Sequence, residues 1–257
     1  MAKRNTLPRR HTIVQILAEQ GEVSVEQLAQ HFATSEVTIR KDLAELERNG
    51  LLLRRYGGAV PVPTELVVSG IDQEVSKRKQ AIAELAASRI RDHNRIIMDF
   101  GSTTAAMIPH FSQKRGLVVM TNSLNMVQAL RELENEPTLL MTGGTWDPHS
   151  EAFQGQMAEQ VLRAYDFDQL FIGCDGIDPA RGTTTFNELL GLSRVMADVA
   201  REVVVVAEAD KLGRRIPNLE LPWQAVSVLI TDDRLDAAAK LQIEGQGVTV
   251  LLAPSKE

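Results

Sequence analysis

The chain has 257 residues, 44% of them apolar, and a formal net charge of -6, which is enough sequence for one small and one larger packed domain. No run approaches the ~18 consecutive apolar residues of a spanning helix, and the opening MAKRNTLPRR lacks the apolar stretch of a signal peptide, so a membrane role is excluded and a cytoplasmic location expected. The single cysteine, Cys174, has no internal disulfide partner, and the histidines at 11, 31, 93, 110 and 149 lack ligand spacing, so neither a metal nor another cofactor is expected.

The charge is unevenly divided. Residues 1–60 hold nine Lys/Arg against seven Asp/Glu, a net of +2, while the remainder is net -8. A locally basic segment on an acidic body is the footprint of a small nucleic-acid-binding domain attached to a soluble one.

Pro8 opens a helix expected to run to Gln20, with Ile13, Val14, Ile16 and Leu17 facing inward and Gly21 ending it. Arg4, Arg9 and Arg10 at its start are either DNA-backbone contacts or a solvated arm. Ser24 and Gln27 form a capping-box pattern for a second helix reaching about Phe32. Ser35 caps a third, whose Val37, Ile39, Leu43, Leu46 and Leu51 are expected to face inward. That leaves Glu36, Thr38, Arg40 and Lys41 outward near the helix start, where a recognition helix meets base edges. Asn49-Gly50 stops the helix, Leu51 to Leu53 restart as a strand, and Arg54, Arg55 and Tyr56 abut Gly57-Gly58 in a basic turn suited to phosphates or a minor groove. The order is that of a winged helix-turn-helix, and its DNA-binding set is Ser35, Glu36, Thr38, Arg40, Lys41, Arg54, Arg55, Tyr56 and Gly57.

Pro61, Pro63 and Gly70 break periodicity, which gives a DNA-binding domain over 1–60, a linker over 61–75 and a second domain over 76–257. A helix is expected over Ser76 to Arg91. Seven apolar, β-rich runs then alternate with helices: 95–99, 117–121, 138–142, 170–173, 203–207, 226–231 and 248–252. Such runs indicate a parallel sheet covered on both faces, hence an α/β fold.

Polar residues gather just beyond the ends of these runs, the edge at which open parallel sheets bind ligands. Gly101-Ser102-Thr103-Thr104 is either a routine helix cap or a phosphate site made of hydroxyls and backbone N–H groups at a helix start. Lys211, beyond another strand, adds a cation suited to a dianion. Asp99, Asn122, Asp175, Asp178, Asn187 and Glu188 suit sugar hydroxyls, although Asp99 and Asp178 also fit capping and turn roles. Gly143-Gly144 serves a turn or a close backbone approach, and Trp146 and Trp223 are expected to pack.

Ser35-x-x-Thr38-Ile39-Arg40-x-Asp42-Leu43 and Arg54-x-Tyr56-Gly57-Gly58-Ala59 resemble the N-terminal domain of the DeoR family of bacterial sugar-operon repressors. The resemblance extends through Asp99-x-Gly-Ser-Thr-Thr, Thr121-Asn-Ser, Gly143-Gly-Thr, Gly173-x-Asp-Gly-Ile-Asp, Phe186-Asn-Glu and Lys211-x-Gly. It is most similar to the glucitol-operon and amino-sugar-operon repressors. Where the family shows Asp-Ser-Ser-Lys-Phe-Gly, this chain has Glu208-Ala-Asp-Lys-Leu-Gly.

The resemblance implies a sensor domain related in fold to ribose-5-phosphate isomerase and glucosamine-6-phosphate deaminase. It further implies that Ser102, Thr103, Thr104 and Lys211 hold a phosphate while Asp99, Asn122, Asp175 and Glu188 hold the sugar. Two functions fit these residues. One is a repressor, homodimeric or homotetrameric, that binds double-stranded operator DNA and is released by a phosphorylated sugar or sugar alcohol. The other is a sugar-phosphate isomerase or deaminase using Asp175, Glu188 and Lys211. The deaminases place a histidine soon after the aspartate, where this chain has Ile177, and an isomerase has no use for a winged helix, so no catalytic residue is expected.

Overall fold

The computed structural model describes residues 6–48, 52–55, 57–61, 75–148, 150–187, 190–214, 216 and 218–254. Two compact units are resolved by their internal contacts, Met1–Ser69 and Gly70–Glu257. The division falls inside the expected linker, most of which lies outside the described residues.

In the first unit, helix α1 (Thr6–Gln20) starts two residues before Pro8. Proline is tolerated there because N–H groups of a first turn have no helical acceptor. Gly21, at φ +74°, ends the helix with its N–H on Leu17 O at 2.9 Å. Strand β1 (Val23–Ser24) leads into α2 (Val25–His31), and both bonds of the Ser24–Gln27 capping box form at 3.0 Å. Helix α3 (Glu36–Arg48) is capped by Ser35, whose hydroxyl oxygen accepts the Thr38 N–H at 3.3 Å. Strands β2 (Leu53–Arg55) and β3 (Gly58–Val60) complete an antiparallel sheet in the order β1-β3-β2.

Ile13, Leu17, Leu28, Ile39, Leu43, Leu46 and Leu52 form one buried cluster. Val37 does not join it: 58% of its surface is exposed. At 100° per residue it lies about 200° from Ile39, on the opposite side of the helix. Leu51 lies outside the described residues. Asp42 is also buried, and it collects two arginines, with Arg9 Nε donating to Oδ2 at 2.6 Å and Arg10 Nε to Oδ1 at 2.9 Å. These two arginines therefore fasten α1 to α3 instead of forming a solvated arm; Arg4 lies outside the described residues.

In the second unit, α4 (Lys77–Ser88), capped by Ser76, is followed by β4 (Arg95–Met98) and a single turn, α5 (Ser102–Ala105). Then come β5 (Val118–Thr121), α6 (Leu124–Arg131), β6 (Thr138–Met141) and the hairpin of β7 (Thr145–Asp147) and β8 (Ala152–Gln154). Helix α7 (Gln156–Leu162) leads to β9 (Phe167–Ile172), β10 (Gly176–Asp178) and β11 (Gly182–Thr185). The remainder is α8 (Gly191–Asp198), β12 (Ala200–Val206), β13 (Asn218–Pro222), β14 (Val228–Asp232), α9 (Ala237–Glu244) and β15 (Thr249–Ala253).

All seven expected runs lie in one parallel sheet, in the order β15-β14-β12-β9-β4-β5-β6. Ile97 aligns with Met120 and Leu170 and faces α7, α8 and α9. Ile96, Met98, Val119 and Phe171 face α4 and α6. Both faces are thus buried, as continuous apolar runs require. The order reverses at β4, because β5 and β6 extend one side and β9 onward the other. The crevice of such a sheet opens beyond the carboxyl ends of β4 and β9. A second, antiparallel sheet of β10, β11 and β13 is built from segments that follow β9 and β12 in the chain.

Asp42→Ala would leave two partly buried guanidiniums without their carboxylate, and we expect it to cost about 3 kcal/mol. The urea midpoint of the N-terminal unit in the full chain measures this; Arg9→Ala should cost less, because Arg10 still compensates Asp42.

Candidate functional site

On the first unit, Ser35, Glu36, Arg40 and Lys41 are exposed and Thr38 is half-buried, so the start of α3 presents the expected outward residues together. Arg40 is paired with Glu36 at 2.6 Å, and Thr38 Oγ1 is 2.9 Å from Ser35 Oγ. A base contact by Arg40 therefore exchanges a solvent-exposed ion pair, worth little, for a bidentate one.

In the wing, Gly57 takes φ +83°. Gly58 serves a different need, since a Cβ there would run into the Val23 carbonyl of β1. Arg54 Nε pairs with Glu47 at 2.9 Å and Arg55 with Glu22 at 3.8 Å. Arg54 keeps 45% of its side chain exposed against 18% for Arg55, so Arg54 is the more accessible of the two cations. Tyr56 lies outside the described residues.

On the second unit, the sheet gathers polar residues at its switch point. Asp99, one residue past β4, is buried and accepts from Asn122 Nδ2, one residue past β5, at 2.7 Å. Asn122 Oδ1 in turn accepts the Phe100 N–H at 3.0 Å. Burial raises the Asp99 carboxyl to about 7, opposed by the Asn122 and Phe100 hydrogen bonds and aided by the negative charge of Asp175. Asp175, beyond β9, accepts from Thr185 Oγ1 at 2.8 Å and from the Phe186 N–H at 3.0 Å through Oδ2. Lys211 is buried, with Nζ donating to Cys174 O at 2.7 Å.

Gly101, at φ +138°, turns the chain into α5. Thr104 is fully buried and its hydroxyl donates to Gly101 O at 2.8 Å, closing the turn; Thr103 is also buried. Because α5 spans only four residues, its dipole offers little to an anion. A side-chain cation compensates: Lys79 Nζ donates to Ser102 Oγ at 3.0 Å. Lys79 sits in the first turn of α4, 23 residues earlier, directly after Lys77 and Arg78. Its neighbour Arg78 pairs with Glu208 at 3.2 Å, and Glu208 also accepts from Ser76 Oγ at 3.1 Å.

Other candidates turn out to serve the fold. Asp178 Oδ1 accepts from the N–H groups of Ala180 and Arg181, and its carbonyl from Trp223 Nε1 at 3.0 Å, so it closes a turn over buried Trp223. Trp146 is partly exposed, edge-on to Phe153 at 5.2 Å between ring centres, which departs from the packed position expected. Both glycines of the 143–144 pair have positive φ, and a Cβ on Gly144 would also strike Gln154 O, so the turn and the close approach coexist. Asn187 donates through Nδ2 to Gln154 Oε1 at 3.4 Å, and Glu188 lies outside the described residues.

Sequence reasoning missed Glu220 on β13. It is buried, accepts from Ser193 Oγ at 2.8 Å through Oε1, and is pushed up to about 8, first by burial and then by the charge of Asp99. Nothing in its sequence context, Asn-Leu-Glu-Leu-Pro, announces this. Among the described residues, no group of three or more His, Cys, Asp or Glu could hold a metal, and no helix is long and apolar enough to cross a membrane.

A winged helix-turn-helix with an exposed recognition helix, carried on an α/β unit whose switch point collects carboxylates, amides and lysines, defines a ligand-responsive DNA-binding regulator. Residues 9–64 match the DeoR-like helix-turn-helix domain and residues 74–233 the DeoR C-terminal sensor domain, and the chain belongs to the DeoR family of transcriptional repressors of sugar operons. It is 36% identical over 253 residues, 96% of this chain and 94% of the other, to a protein named for repression of the aga operon in Escherichia coli O157:H7. It is 35% identical over 247 residues, 95% and 96% of the two chains, to the regulator GlpR of Haloferax volcanii. Ribose 5-phosphate isomerase A of Methanocaldococcus jannaschii overlaps 52% of this chain and 53% of its own at 18% identity, with a TM-score of 0.38, too slight a likeness to carry chemistry across.

Asp99 and Glu220 hold protons in the fold that an unfolded chain releases near pH ~4. Folded values raised above unfolded ones mean stability present at low pH and lost as pH rises through about 7 and about 8. Thermal melting of the sensor unit should therefore fall between pH 5 and 8.5, about these two transitions, and Asp99→Asn should flatten the lower part of the decline.

Proposed function

We propose that this protein represses a carbohydrate-catabolic operon and leaves its operator when a phosphorylated sugar or sugar alcohol occupies the carboxyl edge of the sensor sheet. The observation that carries the effector half is the Lys79 ammonium on the Ser102 hydroxyl at the end of β4, a cation and a hydroxyl already converging where an open parallel sheet binds ligands. Lys79, Ser102 and the Gly101–Thr103 backbone take the phosphate, with Lys211 as the cation on the far side of the crevice. Asp99, Asn122, Asp175 and Glu188 take the hydroxyls. The names of the relatives, repression of the aga operon among them, support carbohydrate as the regulated chemistry.

The start of α3 reads the operator, with Arg40 as the base-reading side chain, while Arg54 and Lys41 contact phosphates. A single winged helix reads few base pairs, so the working form is a homodimer or homotetramer on repeated half-sites in the cytoplasm. Release is linkage: an effector that binds better to the state ill-suited to DNA shifts the population toward that state. The carboxyls at the switch point hold ligand and transform nothing, so the protein is a regulator and not an isomerase.

Fluorescence anisotropy of the full chain on its own upstream DNA, titrated with a panel of sugar and sugar-alcohol phosphates, tests this; turnover of an ester without specific DNA binding would overturn it. Lys79→Met and Ser102→Ala should keep operator affinity and need about tenfold more ester for release, the worth of a charge-assisted hydrogen bond. On the DNA side, Arg40→Ala should cut operator-versus-random discrimination by about 1–3 kcal/mol. Arg54→Ala should instead weaken both equally and lower the salt slope by about one.

A further inference from the structure

Strand β13 pairs Leu221 with Thr183 and Leu219 with Thr184, so Glu220 between them has no partner across the ladder and forms a bulge. A bulge re-aims the side chain it carries and is frequent beside binding sites. The same neighbour, β11, supplies Thr185, which holds Asp175, so the bulge sits on the sheet that orients a switch-point carboxylate. Only 7% of Glu220 is exposed, and its two oxygens differ. Oε1 accepts from Ser193 Oγ at 2.8 Å, while Oε2 is buried and has no hydrogen-bond partner among the described residues. A buried polar atom left unpaired in this way is costly and calls for an occupant.

Charged groups acting on this carboxyl are Asp99 beyond β4, Asp175 beyond β9 and Lys211 beyond β12. On α8, Arg194 donates to the backbone carbonyls of Leu219 and Glu220 at 3.2 and 3.5 Å, fixing the bulge without touching the carboxyl. Burial favours the neutral acid first, and the charges of Asp99 and Asp175 add to it against one lysine. Because Ser193 donates to Oε1, the acid proton belongs on Oε2, which makes that atom a hydrogen-bond donor on a carboxyl that feels the charges of Asp99 and Asp175.

We propose that Glu220 is an effector-contacting residue whose Oε2–H donates to a hydroxyl oxygen of a polyhydroxy phosphate ester, so that the site selects a hydroxyl where an amine would require the carboxylate. The proposal rests on the reading of the switch point as the effector site. It makes Glu220 a specificity residue contributed by a strand far in sequence from Asp99 and Ser102.

The test is calorimetric titration of the full-length protein, wild type, Glu220→Gln and Glu220→Met, at pH 7 and pH 9, with inorganic phosphate, glucose 6-phosphate, glucitol 6-phosphate and glucosamine 6-phosphate. Inorganic phosphate is about half dianion at pH 7 and wholly so at pH 9, and the esters are mostly dianions at both, so each preference is read against the Met variant at the same pH. The wild type should bind glucose 6-phosphate and glucitol 6-phosphate better than inorganic phosphate at pH 7 and lose most of that preference at pH 9, a change larger than the Met variant shows. The Gln variant, whose amide donates from the same position while its oxygen still accepts from Ser193, should keep the preference at both pH values. The Met variant should lose about tenfold at both, with inorganic phosphate bound alike by all three proteins. A Met variant that keeps the ester preference, or a wild type that prefers glucosamine 6-phosphate and loses it in the Gln variant, overturns the role given to Glu220. Absence of both phosphate and ester binding by the wild type overturns the effector-site reading itself.

Discussion

Because β4 is the first strand laid down in the sensor sheet and later strands are added on both of its sides, the chain opens a crevice between the ends of β4 and β9 that no crossover can cover. Everything chemical in the sensor follows from that constraint. Both faces of the sheet are sealed by helices, so polar residues can leave the core only at strand ends, and the residues one step past β4, β5 and β9 are Asp99, Asn122 and, after Gly173 and Cys174, Asp175. The site is the place where this topology allows polar side chains to meet.

Its electrostatics follow from the same arrangement. Carboxyls at strand ends and at the β13 bulge are close enough to the core to lose water, yet close enough to one another to repel, and the structure manages this by hydrogen bonding and by protonation. Asp99 is held by the Asn122 amide, Asp175 by a hydroxyl and a backbone N–H, and Glu220 by a hydroxyl alone. The N-terminal unit solves the corresponding problem with charge: Asp42, equally buried, is matched by Arg9 and Arg10. One domain neutralises its buried acid by ion pairing and the other leaves two poised near neutrality, which suits a scaffold and a sensor respectively.

Much of this was legible in the sequence. Continuous apolar runs marked each of the seven parallel strands, because a strand buried on both faces carries its signal in every residue. The capping boxes and the Gly-rich wing marked the first unit. Strands β7, β8, β10 and β11 were not legible, since Thr-Trp-Asp, Ala-Phe-Gln, Gly-Ile-Asp and Gly-Thr-Thr-Thr are short and also lack a continuous apolar run. Val37 was misplaced by counting it with Ile39, two residues away and across the helix. In the sensor, Asp99 and Asn122 were found because each follows its strand directly, and Asp175 because it lies three residues past the end of β9. Lys79 and Glu220 were not, because their roles are set by which distant elements the fold brings to them: Lys79 comes from a helix preceding the sheet and Glu220 from a bulge that only the pairing with β11 reveals.

The two wing glycines answer to separate demands, a left-handed backbone at Gly57 and the bare approach of β3 to β1 at Gly58. No single side chain can replace either residue without strain or collision, and a change that relieved one requirement would leave the other in force. The tip of the wing is therefore closed to gradual diversification. A change in what this unit meets must come from side chains that carry no such double demand, such as the exposed Glu36, Arg40 and Lys41 at the start of α3.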